Sequence, residues 1–182
     1  MAGSLIKVDE FTISSSVASV ILGGGSSGSS GLNASIDSTY DVYMVRSNNV
    51  TPDTDNQNLR LRFTVSGSAD TSSNYDSAYK NLRGDSAFSN INNQNLDYIN
   101  LGGNGTSTQE MHNSIIYLFN FNNASEYSFC TIEASTRNTD SHLRGFQGGG
   151  VLTETQITNG VNYSYVSGNI NSGQFVLYGL KK

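Results

Sequence analysis

The chain has 182 residues, of which 36% are hydrophobic and only 14% charged, with a net charge of −5. An average globular domain is about 25% charged. Low hydrophobicity without high charge is not the composition of a disordered chain, and ten Tyr with eight Phe supply a core. Ten scattered Lys and Arg make too sparse a cation set to displace counterions from phosphates, which excludes nucleic acid as a partner. The single Cys130 excludes an internal disulfide, so packing or oligomerisation must supply stability. In the run YSFCTI it reads as a buried, inert thiol.

The amino-terminal MAGSLIKVDE has neither the basic region nor the apolar stretch of a signal peptide. No apolar run reaches the roughly 18 residues of a transmembrane helix. Synthesis in a cytoplasm without membrane insertion is therefore expected. Five Asn-X-Ser/Thr triplets, at Asn33, Asn49, Asn104, Asn123 and Asn162, are chance products of an Asn- and Ser-rich chain.

In chain order, two-residue periodicity predicts strands over 7–14, 17–22, 40–46, 59–66, 96–101, 114–122, 127–135, 150–155, 162–166 and 174–178. Between the second and third lies the Gly/Ser stretch 23–31, a flexible loop by composition. The segment LRLRFTVS at 59–66 is the clearest strand. Leu59, Leu61, Phe63 and Val65 share a core face, opposite Arg60, Arg62, Thr64 and Ser66 facing water. Residues 74–82 are the best helical candidate, at most two turns. A second loop is expected at 102–108.

In IIYLFNF at 115–121, Ile115, Tyr117, Phe119 and Phe121 lie opposite Ile116 and Leu118, predicting a central strand covered on both faces. The triple glycine Gly148–Gly150 is read as backbone freedom leading into a strand at Val151. The closing SGQFVLYGLKK at 172–182 predicts a fold that ends on its own last strand, with no tail, anchor or second domain. The whole chain reads as one all-β domain over 1–182. The expected architecture is an antiparallel β-sandwich, jelly-roll-like, with at most one short helix.

Chemistry-bearing residues are few. His112 begins a predicted strand and His142 lies in a polar stretch. No nucleophile elbow of hydrolase type accompanies them, so no catalytic residue is assigned. One Cys and two distant His exclude a structural zinc site. Asp53 and Asp55 share a turn after Pro52 that can offer oxygens to calcium, yet it lacks the EF-hand glycine and glutamate. It reads as a solvated turn, and no metal or cofactor is assigned. The tripeptide Arg83-Gly84-Asp85 matches an integrin-recognition sequence and is read as a turn. Tyr40, Tyr43, Tyr75, Tyr79, Tyr98, Tyr163 and Tyr165 exceed what a small core needs. They are expected at protein interfaces, or stacked on sugars beside Asn.

Six segments taken together resemble small structural proteins of tailed bacteriophages, notably those of marine and cyanobacterial hosts. They are FTIS at 11–14, IDSTYDVY at 36–43, NLRLRFTVSG at 58–67, YLFNFNNAS at 117–125, RGFQGGG at 144–150 and the run from Ser167 to Lys182. The resemblance implies a jelly-roll virion component that oligomerises on the particle surface, made in the host bacterial cytoplasm, with no catalytic residues to carry over. A non-enzymatic capsid decoration or small head- or tail-attached protein, assembled as a homotrimer, is the leading expectation. A tail-fibre module binding host surface carbohydrate is the alternative. A polysaccharide-cleaving enzyme would need paired carboxylates on a groove, and no such pair is recognisable.

Overall fold

The computed structural model describes residues 4–24 and 35–180. Among these residues there are thirteen strands: β1 (Leu5–Thr12), β2 (Val20–Gly23), β3 (Val42–Pro52), β4 (Gln57–Val65), β5 (Ser68–Ala69), β6 (Tyr75–Arg83), β7 (Ser89–Leu96), β8 (Ile99–Asn104), β9 (His112–Phe119), β10 (Ser128–Arg137), β11 (Leu143–Leu152), β12 (Gly160–Tyr165) and β13 (Ile170–Leu180). They form two antiparallel sheets. The large one runs β1-β13-β3-β9-β10-β11-β6-β7; the small one runs β2-β12-β4-β5, with β8 also paired to β4.

The pairs β1·β13, β2·β12, β3·β9 and β4·β8 nest inside one another. They are the rungs of one long hairpin folded over on itself. The fold-over also brings β13 against β3 and β12 against β4, giving β1-β13-β3-β9 facing β2-β12-β4-β8. This is the eight-stranded jelly roll, two Greek keys sharing a core, and the expected β-sandwich is what the chain forms. Two hairpins depart from the frame: β6–β7, between β4 and β8, and β10–β11, between β9 and β12. They pair with each other through β11·β6 and widen the first sheet to eight strands.

One apolar core lies between the sheets. Leu59, Leu61 and Phe63 of β4, Ile116 and Leu118 of β9, Val161, Tyr163 and Tyr165 of β12, and Phe175 and Leu177 of β13 are all buried there. Turn chemistry explains much of the asparagine content. Asn49, Asn56, Asn95, Asn120 and Asn122 all have positive φ, the left-handed region that Asn tolerates better than most residues.

Several expectations need correction. Residues 74–82 are strand, not helix. Tyr75, Ser77 and Tyr79 turn inward at period two and are buried, and the strand is held on both sides, by β11 and β7. Strand β7 (SNINNQNL) gave no apolar alternation because it is the last strand of the sheet. The outer face of β4 is covered rather than solvated. The Arg62 guanidinium pairs with the Asp97 carboxylate and donates from Nε to the Asp97 carbonyl at 2.6 Å. Arg60 and Arg62 also lie 5.6 and 5.9 Å from the Tyr98 ring centroid. Strand β9 is central in its sheet, yet only its inner face, with His112, Ser114, Ile116 and Leu118, is buried, while Ile115 on the outer face is 39% exposed. Residues 102–104 belong to β8 rather than to a loop. The Gly/Ser stretch is described only at Gly23 and Gly24; the rest of it lies outside the described residues.

Gly148–Gly150 sit inside β11, which begins earlier than expected, at Leu143. The reason is close approach. A Cβ on Gly148 would lie 2.3 Å from the Ala78 carbonyl oxygen and 2.4 Å from Tyr79 Cβ; one on Gly150 would lie 2.7 Å from Ile99. Gly148→Ala should therefore cost about 2 kcal/mol or more through overpacking. Gly84→Ala, whose nearest neighbour would be at 3.4 Å, should change stability by no more than about 0.5 kcal/mol. Denaturant unfolding of the two variants checks this difference.

Candidate functional site

The outer face of the large sheet is built from rows of directly opposed residues, set by register. One row runs Val42, Phe119, Phe129, Val151 and Asp76 across β3, β9, β10, β11 and β6. The next runs Tyr178, Met44, Tyr117, Thr131, Gly149, Ala78 and Asn92, from β13 to β7. The third runs Val176, Arg46, Ile115, Glu133, Gln147, Lys80 and Asn90. The first row is mostly apolar. The third is polar and linked, Lys80 Nζ donating to Asn90 Oδ1 at 2.8 Å.

The middle row has large side chains at one end and almost none at the other. Where Gly149 meets Ala78 the face sinks into an open trough of about 690 Å³, lined by Asp76, Ala78, Asn92, Gln94, Phe129 and Gly149 among others. Phe129, 42% exposed, is its aromatic wall, and the amides of β7 form the opposite one. Asp76 Oδ1 accepts from the Asn95 backbone N–H at 2.9 Å, which fixes that carboxylate at the rim. A bare floor, one aromatic ring, three amide residues and one carboxylate suit a polar ligand with an apolar face. A second, smaller hollow of about 350 Å³ lies along the same face, between Arg46, Asn113, Ile115 and Glu133.

None of the residues singled out in the sequence lines the trough except Cys130 and the glycines Gly149 and Gly150. Cys130 is buried, and desolvation pushes its thiol up to about 12, so it is un-ionised and unreactive at neutral pH. His112 is fully buried, and neither ring nitrogen has a hydrogen-bond partner among the described residues. Desolvation lowers its pKa to about 4, which keeps the imidazole neutral and away from any substrate. His142 is exposed in the turn before β11, its N–H donating to Asn138 Oδ1 at 3.1 Å.

Asp53 and Asp55 do not converge. Asp53 Oδ1 accepts from the Asn169 N–H at 2.8 Å, while Asp55 Oδ1 accepts from the Thr106 N–H at 3.2 Å. Among the described residues no group of three or more His, Cys, Asp or Glu could hold a metal ion. The literal Gly-X-Ser-X-Gly spacing at 24–28 falls in the Gly/Ser stretch, and its serine lies outside the described residues. Asp85 is engaged with Arg83 at 2.8 Å and with Arg144 at 2.9 Å, which locks the turn after β6 rather than presenting it. The hydrogen bond from Arg83, ahead of the charge of Arg144, lowers the Asp85 pKa to about 2.

The interface reading fails for five of the seven tyrosines, while Tyr40 and Tyr98 are half-buried. Tyr43, Tyr75, Tyr79, Tyr163 and Tyr165 are buried core residues. Tyr43 donates to the Asp37 carbonyl at 2.9 Å, Tyr75 to the Asp70 carbonyl at 3.2 Å and Tyr165 to Asn104 Oδ1 at 2.9 Å. Burial raises all five phenols, Tyr43 and Tyr79 to about 12. The wide sheet needs these large side chains to fill its inner face, and Tyr79 packs edge-on against Phe146 at 5.7 Å. The exposed aromatics are instead Phe88, Tyr127 and Phe129. Only register places Phe129 beside a glycine floor, so sequence alone gave no signal for the trough. Asn104 and Asn162 are buried, which removes two of the five glycosylation triplets from reach.

No protein-family model, curated protein or solved structure matches this chain.

His112 sets a pH dependence. The unfolded chain takes up its proton below about pH 6.5, the folded chain only near pH 4, so stability falls as pH drops through that window. The loss at pH 4 should be about 3 kcal/mol. In His112→Leu this part of the acid slope should be absent, as measured by denaturant unfolding at pH 4 and pH 7. Asp85 works at lower pH. Its depressed pKa adds stability above about pH 4 that is lost as pH falls towards 2.

Proposed function

We propose that this protein is a non-enzymatic virion component of a tailed bacteriophage. It is a jelly-roll module carried on the particle surface as a capsid decoration or small head- or tail-attached protein, and it associates with itself and with other virion proteins. The observation that carries this reading is the outer face of the large sheet. Ile115 and Phe129 stand 39% and 42% exposed there, with Tyr127 just before β10 also at 42%, on a sheet that the inserted hairpins widen from four strands to eight. Contiguous exposed apolar side chains rimmed by polar ones are the signature of a contact surface. The segments resembling phage structural proteins supply the virion context. In purified particles probed with gold-labelled antibody against this chain, label should decorate the head or its junction with the tail. Absence of the chain from purified virions would overturn the proposal.

The trough favours a second reading, recognition of host surface carbohydrate. A sugar ring can lay its C–H face on Phe129 while Asn92 and Gln94 meet its hydroxyls. Asp76 is the only carboxylate in the lining, and hydrolysis of a glycosidic bond ordinarily uses two, so this geometry suits binding rather than cleavage. On a bacterial glycan array Phe129→Ala should weaken any bound glycan at least about tenfold. Phe88→Ala, at an exposed ring outside the trough, should leave binding unchanged. No binding by the unaltered protein removes this reading and leaves the first intact.

A further inference from the structure

A sheet edge exposes a row of unpaired backbone N–H and C=O groups, and folded proteins guard such edges with charges, bulges, short strands or a covering element. Among the described residues the two sheets have four edges, one of them formed by β5 and β8 end to end along β4, and three are guarded; β5 is only two residues long. On β1, the ion pair Lys7–Glu10 at 2.9 Å lies along the strand, and the register shifts between Lys7 and Asp9. Asp9 itself points inward, 1% exposed, and accepts from the Gly23 N–H at 3.0 Å. Strand β2 has four residues. Strand β8 is bulged against β4 and is tucked under the large sheet, where a Cβ on Gly102 would strike the Phe146 ring at 2.2 Å.

The fourth edge is β7. Its eight residues, SNINNQNL, contain no charge and no proline. From Ser89 to Asn93 it pairs with β6 in unbroken register; the shift comes only towards Leu96. Ser89, Asn90, Asn92 and Gln94 are exposed. We infer that β7 is the docking edge for a second copy of this chain, pairing antiparallel with its own counterpart so that two eight-stranded sheets join into one.

Three observations select that occupant. The strand is uncharged in a chain of net charge −5, so two copies meet here with no like charges opposed along the strand. Its side chains are amides and hydroxyls, which donate and accept and so complement an identical strand. And an edge-to-edge antiparallel pairing of identical strands is isologous, which makes this contact two-fold rather than three-fold.

The pairing has a consequence for the trough. Because β7 supplies its Asn92 and Gln94 wall, joining two copies places two troughs on one continuous face. Strand spacing sets their centres about 20 Å apart, close enough for one extended ligand to engage both and gain by avidity. This deepens the self-association part of the proposed function and does not depend on the virion part.

Sedimentation equilibrium of the purified chain, from about 1 to about 500 µM, tests the inference. The unaltered protein should reach a dimer. Two double variants, Asn90→Lys with Asn92→Lys and Asn90→Asp with Asn92→Asp, should each weaken it at least about tenfold by like-charge opposition. An equimolar mixture of the two should restore it. Circular dichroism checks that both variants remain folded. A monomer throughout the range, a trimer, or a dimer indifferent to both variants would each overturn the inference. None of those results would alter where antibody falls on a virion, so the two proposals fail separately.

Discussion

The β12–β13 crossover is the constraint on which the rest of the fold depends. β12 lies between β2 and β4, and β13 lies between β1 and β3, so two consecutive strands take an interior position in each sheet. All six residues of β12 are buried, as are Phe175, Val176 and Leu177 of β13. Neither sheet of the frame can be completed until these two strands are in place. Leu5 then stands opposite Leu180, almost the full length of the chain away. Such pairing is entropically costly to nucleate and intrinsically slow. The frame is therefore cooperative by construction, since weakening β13 exposes the core faces of both neighbours.

The two inserted hairpins escape that constraint and create the candidate site. β10–β11 and β6–β7 extend the large sheet beyond the frame on the side away from β13. Their inner face must be filled by their own side chains. This explains Tyr75, Tyr79 and Phe146, and it explains why β11 has glycines at 148 and 150, where Tyr79 and Ile99 press in. The same run places Gly149 outward between Thr131 and Ala78, leaving a depression on the other face. Packing on one side of the strand and the hollow on the other thus share a cause. The run of three glycines yields both a close inner approach and a bare outer floor.

Much of the frame was legible from residues, and the site was not. Strands β4, β10 and β12 alternate because one of their faces meets the core, and periodicity detects that contrast; β9 and β13 are marked by their apolar runs. β6 and β7 lack it for different reasons. In β6 the polar Ser77 is buried between two tyrosines, and in β7 an edge position leaves little apolar side chain to alternate. The tyrosines misled for a related reason. A residue with a polar tip can be read as an interface residue, yet buried hydrogen bonds to backbone carbonyls satisfy Tyr43 and Tyr75 as core members. The trough depends on register across four strands, from β10 to β7. Register is set by turns and bulges far from the residues it juxtaposes, so no local pattern could announce it.

The low charge of the chain connects these points. With 14% charged residues, the surface cannot rely on dense like-charge repulsion to keep molecules apart, and local geometry must do more of that work. Three sheet edges carry a recognisable guard. One places its only inward carboxylate, Asp9, under the strand; another hides beneath the large sheet. A protein that kept every edge closed would need no explanation for β7. One that left all of them open would aggregate through any of them. Among the described residues a single open edge, uncharged and in register for five residues before its bulge, would confine association to one place and one symmetry. That edge also carries a wall of the trough, so the surface that would join two molecules and the surface that would meet a ligand are built from the same strand.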